Sequence, residues 1–272
     1  MALIQLNYVS NALQRMVSLQ VILPVDKLTD DGKLPPEKKY KTLYLLHGYT
    51  DNQINWLSGS RIQRWAEERD LCVVMPAGDN SFYIDRPDGF RNYGKFIGEE
   101  LVDVTRRMFP LSRKREDTFI GGLSMGGFGA MRNGLKYHDT FGAIISFSGV
   151  LQIFEHINDV PNIPDRKFVE FLFGDLEKAA NSDNNPTVLA KKLAESGAEL
   201  PKIYMACGTE DFLLQHSREF HKLLTELNIP VTYEESPGEH NWDFWDTYIK
   251  KALDWLPLDE PFKGLVIGSN DK

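Results

Sequence analysis

The chain has 272 residues, of which 42% are hydrophobic and 26% are charged, and this composition is typical of a globular protein. Its formal net charge is −8, so its surface repels phosphate backbones and nucleic acid is not expected as a partner. No apolar run reaches the roughly 18 residues of a membrane-spanning helix, and the N-terminus lacks the features of a signal peptide. We expect one domain over residues 1–272, with no membrane partner.

The first elements in the chain are two strands, predicted at residues 3–9 and 16–24. The second of them alternates partly between apolar and polar side chains, which is the period of a strand. A polar stretch rich in Asp, Gly, Pro and Lys follows at residues 26–39 and predicts a loop.

Beyond this loop, short apolar runs alternate with helical patterns. Continuous apolar strands are typical of a parallel sheet that is covered by helices on both faces. The order therefore predicts an α/β fold with a mostly parallel central sheet flanked by helices. The predicted strands cover residues 42–47, 71–75, 118–123, 143–147, 203–207 and 231–234, and the predicted helices cover residues 56–68, 94–108, 126–137, 214–227 and 242–256.

One long segment, between Gly149 and Pro201, contains no convincing strand. Residues 168–173 and 188–193 have helical patterns. Because a connection of this length inside a compact domain usually has a function, we expect a helical cap at about residues 150–200, inserted over the carboxyl edge of the sheet. The alternative is a set of additional helices that pack on the outside of the domain.

The chain has two cysteines, Cys72 and Cys207, and both fall in predicted buried strands. Buried positions suit reduced thiols that serve as small apolar side chains. Two cysteines without nearby histidine ligands do not form a zinc site. We therefore expect a cytoplasmic protein without a bound metal ion.

A candidate nucleophile, Ser124, follows the predicted strand at residues 118–123. It lies in the pattern Gly-x-Ser-x-Gly, from Gly122 to Gly126, and a helical pattern begins directly afterwards. In this strand–turn–helix context the pattern indicates a nucleophile elbow, in which glycines make room for a sharply bent serine backbone. The alternative is a glycine-rich turn with only a structural role.

A serine hydroxyl needs a neighbouring base, and four histidines follow residue 138. His156 lies in the predicted cap, and His216 and His221 lie inside a helical pattern, where surface positions are expected. His240 lies in a Gly- and Pro-containing loop between the last strand and the last helix. Such a loop reaches back over the strand ends, so His240 is the predicted base, with helix capping as its alternative role.

The acid that orients this base is expected after the preceding parallel strand, where Glu210 and Asp211 are both candidates. Asp211 is favoured because it stands just before the helix predicted to begin near Leu214. Its expected role is to hold the imidazole in the correct tautomer and to stabilise the imidazolium.

Two backbone N–H groups are predicted to form the oxyanion hole. One belongs to Met125, the residue after the nucleophile, and the other to Tyr49, in the His47-Gly48 turn after the third strand. Gly48 lets the backbone bend so that the Tyr49 N–H faces the site. His47 is expected to brace this loop rather than to take part in the chemistry.

Taken together, these motifs resemble the putative esterase family of α/β-hydrolases, which includes tributyrin esterases, cinnamoyl or feruloyl esterases and esterase D. The matching segments are residues 45–52, 121–127, 207–212 and 238–242, and the resemblance covers about residues 6–256. It implies an α/β-hydrolase fold, a Ser124–Asp211–His240 triad, no cofactor and frequent homo-oligomers.

The resulting functional prediction is a serine carboxylesterase that hydrolyses short-chain acyl or aryl esters, of the cinnamoyl and feruloyl type, through an acyl-enzyme. The alternatives are an S-formylglutathione thioesterase, an acyltransferase with the same triad, and a non-catalytic binding protein of this fold. The formylglutathione branch usually has a cysteine shortly after its His-Gly turn, whereas this chain has Tyr49-Thr50-Asp51-Asn52. The difference favours the tributyrin and cinnamoyl branch, with a small ester as the partner.

Overall fold

A single eight-stranded sheet forms the centre of the molecule. The computed structural model describes residues 1–27, 29, 33–86, 91–156 and 166–262. The strands are β1 (Ala2–Ser10), β2 (Arg15–Leu23), β3 (Thr42–Leu46), β4 (Cys72–Pro76), β5 (Thr118–Leu123), β6 (Ala143–Phe147), β7 (Lys202–Gly208) and β8 (Val231–Ser236). They are arranged in the order β1-β2-β4-β3-β5-β6-β7-β8. The pairs β1–β2 and β2–β4 are antiparallel and the other pairs are parallel, which confirms the predicted α/β class.

Helices cover both faces of this sheet. The α-helices are α1 (Asn55–Gly59), α2 (Ile62–Glu68), α3 (Tyr93–Lys95), α4 (Leu101–Met108), α5 (Met125–Lys136), α6 (Arg166–Phe173), α7 (Leu176–Ala180), α8 (Pro186–Ser196), α9 (Leu214–Glu226) and α10 (Trp242–Trp255), with a π-helix at Phe96–Glu100 and a 3-10 helix at Arg115–Asp117. Helices α1, α2 and α10 pack on one face, and α4, α5 and α9 pack on the other.

The alternation of side chains along β3 explains why its sequence is apolar throughout. Leu43 and Leu45 point to the core cluster that contains Trp56, whereas Tyr44 and Leu46 point to the cluster on the opposite face. Successive strand residues face opposite sides of a sheet, so a strand covered on both sides needs apolar residues at every position.

The predicted helix at residues 56–68 is wrong in one respect, because the structure contains two helices there. Helix α1 ends at Gly59, and Ser60 is extended with φ −143° and ψ 172°. The indole of Trp242 lies so close to Gly59 that a Cβ at this position would be 2.3 Å from a ring atom. The close approach of Trp242 therefore requires glycine at the point where the helix is interrupted.

The π-helix within the predicted helix at residues 94–108 ends at Glu100, whose carboxylate holds the turn between β1 and β2. It accepts hydrogen bonds from the Ser10 hydroxyl at 3.1 Å and from the backbone N–H groups of Asn11 at 2.9 Å and Ala12 at 2.7 Å. π-Helical turns within α-helices are frequent at functional sites. Here the Glu100 carboxylate fixes the turn that leads to Arg15, the first residue of β2.

The segment between β6 and β7 contains the three helices α6, α7 and α8, of which α7 has no counterpart in the sequence prediction. Residues 157–165 of the predicted cap lie outside the described residues. Phe173 of α6 packs against Phe82, Phe128 and Phe154, with ring centroids 5.6, 6.1 and 5.0 Å away. These aromatic contacts join α6 to the loop after β4 and to α5.

The amino edge of the sheet has a buried ionic cluster around Asp70, which precedes β4. Its carboxylate accepts from the ammonium groups of Lys27 and Lys38, each at 2.6 Å, and from the backbone N–H of Phe262 at 2.6 Å. Burial alone would raise the pKa of Asp70, but the hydrogen bonds from the two lysines and from Phe262 outweigh it and lower this pKa. The cluster fastens early and late segments of the chain to one point.

Two further expectations concern membranes and cysteines. Across the described ranges, no helix is long and apolar enough to cross a membrane. Cys72 and Cys207 are both buried and both have free thiols. Their burial agrees with their predicted role as small apolar residues.

Candidate active site

The sharp turn between β5 and α5 places Ser124 at the carboxyl edge of the sheet. Ser124 has φ 53° and ψ −118°, a conformation that L-residues rarely adopt. A Cβ on Gly122 would lie 2.4 Å from the carbonyl oxygen of Gly126, and a Cβ on Gly126 would lie 2.5 Å from the carbonyl oxygen of His47. Only glycine fits at both positions, so the pattern around Ser124 is a direct consequence of the turn.

The structure brings together the three side chains that the sequence predicts as nucleophile, base and acid. His240 Nε2 lies 3.0 Å from Ser124 Oγ, and His240 Nδ1 lies 3.0 and 2.9 Å from the two carboxylate oxygens of Asp211. Nδ1 therefore donates to the carboxylate, and the Nε2 lone pair faces the hydroxyl proton. Three loops, after β5, β7 and β8, converge on this point.

Glu210, the alternative acid, faces away from the imidazole. One of its carboxylate oxygens accepts from the backbone N–H of Gly238 at 2.5 Å, and the other accepts from the Thr209 hydroxyl at 2.8 Å. These hydrogen bonds lower the pKa of Glu210. Its side chain thus supports the loop that carries His240.

Asp211 is held ionised by its hydrogen bonds. Burial of this carboxylate, whose side chain is 0% exposed, would raise its pKa. Hydrogen bonds from His240, from the Ser148 hydroxyl and from the backbone N–H of Leu213 outweigh burial, so the pKa of Asp211 lies below its ordinary value. These hydrogen bonds therefore favour the charged form of the carboxylate that faces His240 Nδ1.

Ser148 and Trp245 belong to this site but were not predicted from the sequence. Ser148 directly follows β6, is fully buried and has φ 47°. Its hydroxyl accepts from the Trp245 indole N–H at 3.1 Å, which leaves the hydroxyl proton for the hydrogen bond to Asp211. The Trp245 ring also lies edge-on to the imidazole of His240, with centroids 4.9 Å apart. The indole of Trp245 thus contacts two residues of the site. It packs against His240, and it donates to Ser148, whose hydroxyl in turn donates to Asp211.

The two N–H groups predicted for the oxyanion hole are available for an external acceptor. Among the backbone hydrogen bonds of the described residues, neither the N–H of Tyr49 nor that of Met125 donates to the protein. His47 braces the loop as expected, because its Nδ1 lies 2.8 Å from the Gly48 carbonyl oxygen and its Nε2 accepts from the Gly78 N–H at 2.8 Å. Burial lowers the pKa of His47 and so favours the neutral form of this ring.

The other candidate histidines lie away from Ser124. His156 Nε2 is 2.7 Å from a carboxylate oxygen of Glu219, and His221 packs 4.6 Å from the ring of Tyr233. The expectation of a surface position is wrong for His216, which is buried and accepts from the Gln152 N–H at 3.1 Å. His216 lies on the side of α9 that faces Gln152, in the segment after β6. The helical pattern of α9 does not show which of its residues contact that segment.

The sequence predicts no bound metal ion, and the described residues can be searched for a set of metal ligands. In this part of the chain, no group of three or more His, Cys, Asp or Glu side chains is placed to hold a metal ion. The absence of a cofactor stays a prediction.

Comparisons with known proteins agree with this geometry. A family profile described as "Putative esterase" matches residues 10–256. An acetyl esterase of Caldicellulosiruptor saccharolyticus is 42% identical over 270 residues, which cover 94% of this chain and 98% of that protein. An S-formylglutathione hydrolase of Staphylococcus aureus is 33% identical, with a TM-score of 0.82 and coverage of 94% of this chain and 98% of that one.

A ferulic acid esterase shares the fold at a TM-score of 0.75 and 21% identity, over 94% of this chain and 97% of that one. The residues matched by the family profile, 10–256, include strands β2 to β8 and the positions Ser124, Asp211 and His240. The chain therefore belongs to the putative esterase family, and it is a serine-type carboxylic ester hydrolase with the α/β-hydrolase fold.

Proposed function

We propose that Ser124 is the nucleophile, His240 the general base and acid, and Asp211 the residue that orients His240. The observation that carries this proposal is the unbroken line of hydrogen bonds from the Asp211 carboxylate through the imidazole to Ser124 Oγ, with every contact between 2.9 and 3.0 Å. These are the distances at which a proton can move from hydroxyl to imidazole.

Each step of the reaction then uses groups of this chain. Ser124 Oγ attacks the ester carbonyl carbon while its proton moves to His240 Nε2, and the carbonyl oxygen becomes an oxyanion that accepts from the N–H groups of Tyr49 and Met125. The carbon–oxygen bond to the alcohol breaks, and the alcohol leaves with the proton from His240. Water then attacks the acyl-enzyme with His240 as base, which releases the acid and restores Ser124.

We assign the substrate to short-chain acyl esters, with acetyl esters first. The 42% identical relative is an acetyl esterase, which supports this class. Phe168 of α6 meets the ring of Tyr49 edge-on, with centroids 5.8 Å apart, next to the proposed oxyanion hole. We propose that α6 to α8 act as a cap within one domain and restrict the length of the acyl group. Aryl esters of the cinnamoyl type remain a prediction.

A thioester of the S-formylglutathione type is the second candidate, because the 33% identical solved structure is such a hydrolase. The same triad can accept a thiol as the leaving group. The loop after His47 lacks the cysteine expected for that branch, which favours an oxygen ester. Values of kcat/KM for S-formylglutathione and for a simple acetyl ester decide between the two.

The test of the triad is the Ser124→Ala variant with acetyl and longer nitrophenyl esters. Loss of a serine nucleophile costs about a millionfold in kcat in a protease precedent, so only a trace of activity is expected. Labelling by a fluorophosphonate probe should disappear with it. Ser58→Ala, on the exposed side of α1, is the matched control and should retain both. Residual activity above about one per cent would contradict the assignment, as would labelling of the Ser124→Ala variant.

Two further predictions concern the environment of the protein. We propose a cytoplasmic location, supported by two buried and free thiols, which suit a reducing compartment. The homo-oligomer that the family resemblance implies stays a prediction, and light scattering during gel filtration measures it directly.

A further inference from the structure

Strand β1 forms one end of the sheet, and in the described part of the chain β2 is the only strand that pairs with it. All nine residues from Ala2 to Ser10 pair with β2 in one register without a bulge. Outside this ladder, no backbone hydrogen bond of the described ranges involves residues 2–10. Every second residue of an edge strand points its N–H and C=O groups away from its neighbour. The outer side of β1 is therefore a row of free donors and acceptors about 30 Å long.

This edge lacks the features that usually protect an edge strand from other chains. Such strands commonly contain charged side chains, proline or a bulge. Residues 2–10 read Ala-Leu-Ile-Gln-Leu-Asn-Tyr-Val-Ser and contain none of these. The whole chain carries a net charge of −8, so two copies repel each other in most orientations. An uncharged strand is a place where a second copy can approach with less of this repulsion.

The side chains of β1 follow a pattern of polarity that is the same in both directions from Leu6. When two copies pair antiparallel around a two-fold axis at Leu6, each residue lies opposite one on the same face of the sheet. The opposed residues are alike in kind, namely Leu3 with Val9, Ile4 with Tyr8, Gln5 with Asn7, and Ala2 with Ser10. An axis at Gln5 would instead place Leu3 opposite Asn7. An axis at Asn7 would place Gln5 opposite Val9, so the pattern specifies the register centred on Leu6.

Exposed apolar side chains lie at both ends of this paired region. Leu3 and Val9 are 47% and 65% exposed, and Met16, which is opposite Val9 in β2, is 60% exposed. These three side chains share one face of the sheet, because residues 3 and 9 of a strand point the same way and opposed residues share a face. In the register centred on Leu6, Leu3 of one copy covers Val9 and Met16 of the other. The two-fold axis repeats this contact at the other end.

Two amide side chains lie between these apolar ends. The Ser18 hydroxyl donates to Asn7 Oδ1 at 2.5 Å. Among the described residues, no protein partner meets Asn7 Nδ2 or the Gln5 amide. Opposed residues of a ladder have Cβ atoms about 5 Å apart, which lets Asn7 Nδ2 donate to Gln5 Oε1 of the other copy.

We propose that β1 is the interface of a homodimer, in which the β1 strands of two copies pair antiparallel about a two-fold axis at Leu6. The two eight-stranded sheets then form one continuous sheet, and the free backbone groups of each edge bind those of the other. Three strands separate β1 from β5, which leads into Ser124. Assembly through β1 therefore leaves each active site open, and the proposal does not rest on the proposed function.

Two double variants of the full chain test this register by charge. Leu3→Lys with Val9→Lys puts like charges opposite each other at both ends of the interface, whereas Leu3→Lys with Val9→Glu puts opposite charges there. Within one chain the two positions are six residues apart. That is about 20 Å, beyond the distance over which salt leaves exposed charges coupled. A difference in assembly between the two variants therefore arises between copies.

Sedimentation equilibrium at several protein concentrations measures the assembly. The wild type and the opposite-charge variant should have the same mass, and the like-charge variant should have half of it. Its dissociation constant should be at least about tenfold higher, because two pairs change from attraction to repulsion. Total charge does not explain this order, since the like-charge variant has the smaller net negative charge.

Met108→Lys, at another exposed apolar position, on α4, is the matched control and should keep the wild-type mass. Urea unfolding and hydrolysis of nitrophenyl acetate show that each variant is folded, and both should match the wild type closely. A single-chain mass for the wild type at every concentration would overturn the proposal without any variant. An unchanged mass for the like-charge variant would do so too, as would equal dissociation of the two double variants. A wild type that assembles in this way but hydrolyses no ester would overturn the proposed function and leave the interface standing.

Discussion

Two buried aspartates lie at opposite edges of the sheet, Asp211 after β7 and Asp70 before β4. Their side chains are 0% and 5% exposed, and hydrogen bonds lower the pKa of both. They differ in their partners. Asp211 faces His240, whose other nitrogen reaches a hydroxyl, whereas Asp70 faces Lys27 and Lys38.

The comparison teaches that the partner, rather than burial, decides what a buried carboxylate does. In the proposed triad, Asp211 acts on the reaction at Ser124 by orienting the imidazole of His240, which accepts the proton of the hydroxyl. The ammonium groups around Asp70 only fasten segments of chain that are far apart in sequence. The carboxyl edge of an open α/β sheet is also where loops converge around ligands, and Asp211 lies at that edge.

The largest expected effect follows from the Asp211→Asn substitution. An asparagine at this position presents the wrong hydrogen-bonding partner to His240 Nδ1, and kcat should fall about 10⁴-fold, as for the orienting acid of another triad. Glu210→Gln is the neighbouring control and should change kcat much less, because Glu210 contacts Gly238 and not the imidazole. Steady-state kinetics with nitrophenyl acetate measures both. A larger loss for Glu210→Gln would reassign the acid.

The counterpart at the amino edge is Asp70→Asn, which should affect stability and not chemistry. Removing the carboxylate leaves the buried ammonium of Lys27 without a counter-charge, with the Phe262 carbonyl oxygen at 3.0 Å as its remaining acceptor, and the free energy of unfolding should decrease by about 3 kcal/mol. Urea unfolding measures this decrease, and kcat should stay at the wild-type value. Asp103→Asn, which breaks an exposed ion pair with Arg107, should cost less than about 1 kcal/mol. A lowered kcat in the folded Asp70→Asn variant would contradict the prediction that Asp70 contributes to stability and not to catalysis.

A smaller effect is expected for Ser148→Ala, which tests whether the Ser148 hydroxyl supports Asp211. The substitution removes a donor to the carboxylate and leaves the Trp245 N–H unpaired, so kcat should fall about tenfold with little change in KM. Trp245→Phe removes the indole donor but keeps the Ser148 hydroxyl, and a milder loss is expected. Equal changes in kcat and KM for Ser148→Ala would point to general loosening of the site instead.

The smallest effect is the response of the Asp70 cluster to pH. Its folded-state pKa lies below the ordinary value of 3.8, so its contribution is complete above that pH and is lost as the pH falls through the folded pKa. The difference in unfolding free energy between wild type and Asp70→Asn should therefore be constant from neutral to mildly acidic pH and shrink only below 3.8. Urea titrations over this range measure it, and a difference that grows towards acid would contradict the sign.

The sequence indicates the position of Ser124 because its cause is local. The turn needs glycines two residues before and after the serine, and those glycines are visible in the chain. Ser148 has no such signal, because its partner Trp245 lies 97 residues away and serine is a common residue. The pair Arg15 and Asp79 likewise meets across 64 residues. Contacts of this kind depend on the packed fold and have no local pattern.

Secondary structure likewise has features with a local cause, which the sequence predicts, and features that depend on distant contacts, which it does not. The apolar runs of the buried strands predict the parallel sheet, since burial on both faces leaves a direct mark on composition. The interruption between α1 and α2 follows from the Trp242 ring that packs against Gly59, nearly two hundred residues away in the chain. The helical pattern at residues 56–68 does not reveal that the Trp242 ring packs there, so the sequence predicts one continuous helix.

The positive φ of Ser124 has a consequence for experiments that score only how much folded protein accumulates. A non-glycine residue at such a position costs on the order of 1–3 kcal/mol, and glycine adopts it without that cost. Ser124→Gly should therefore yield a more stable and more abundant protein that has lost its chemistry. A screen based on abundance would rank this inactive variant above the wild type, so stability and activity must be read out separately when variants of this enzyme are selected.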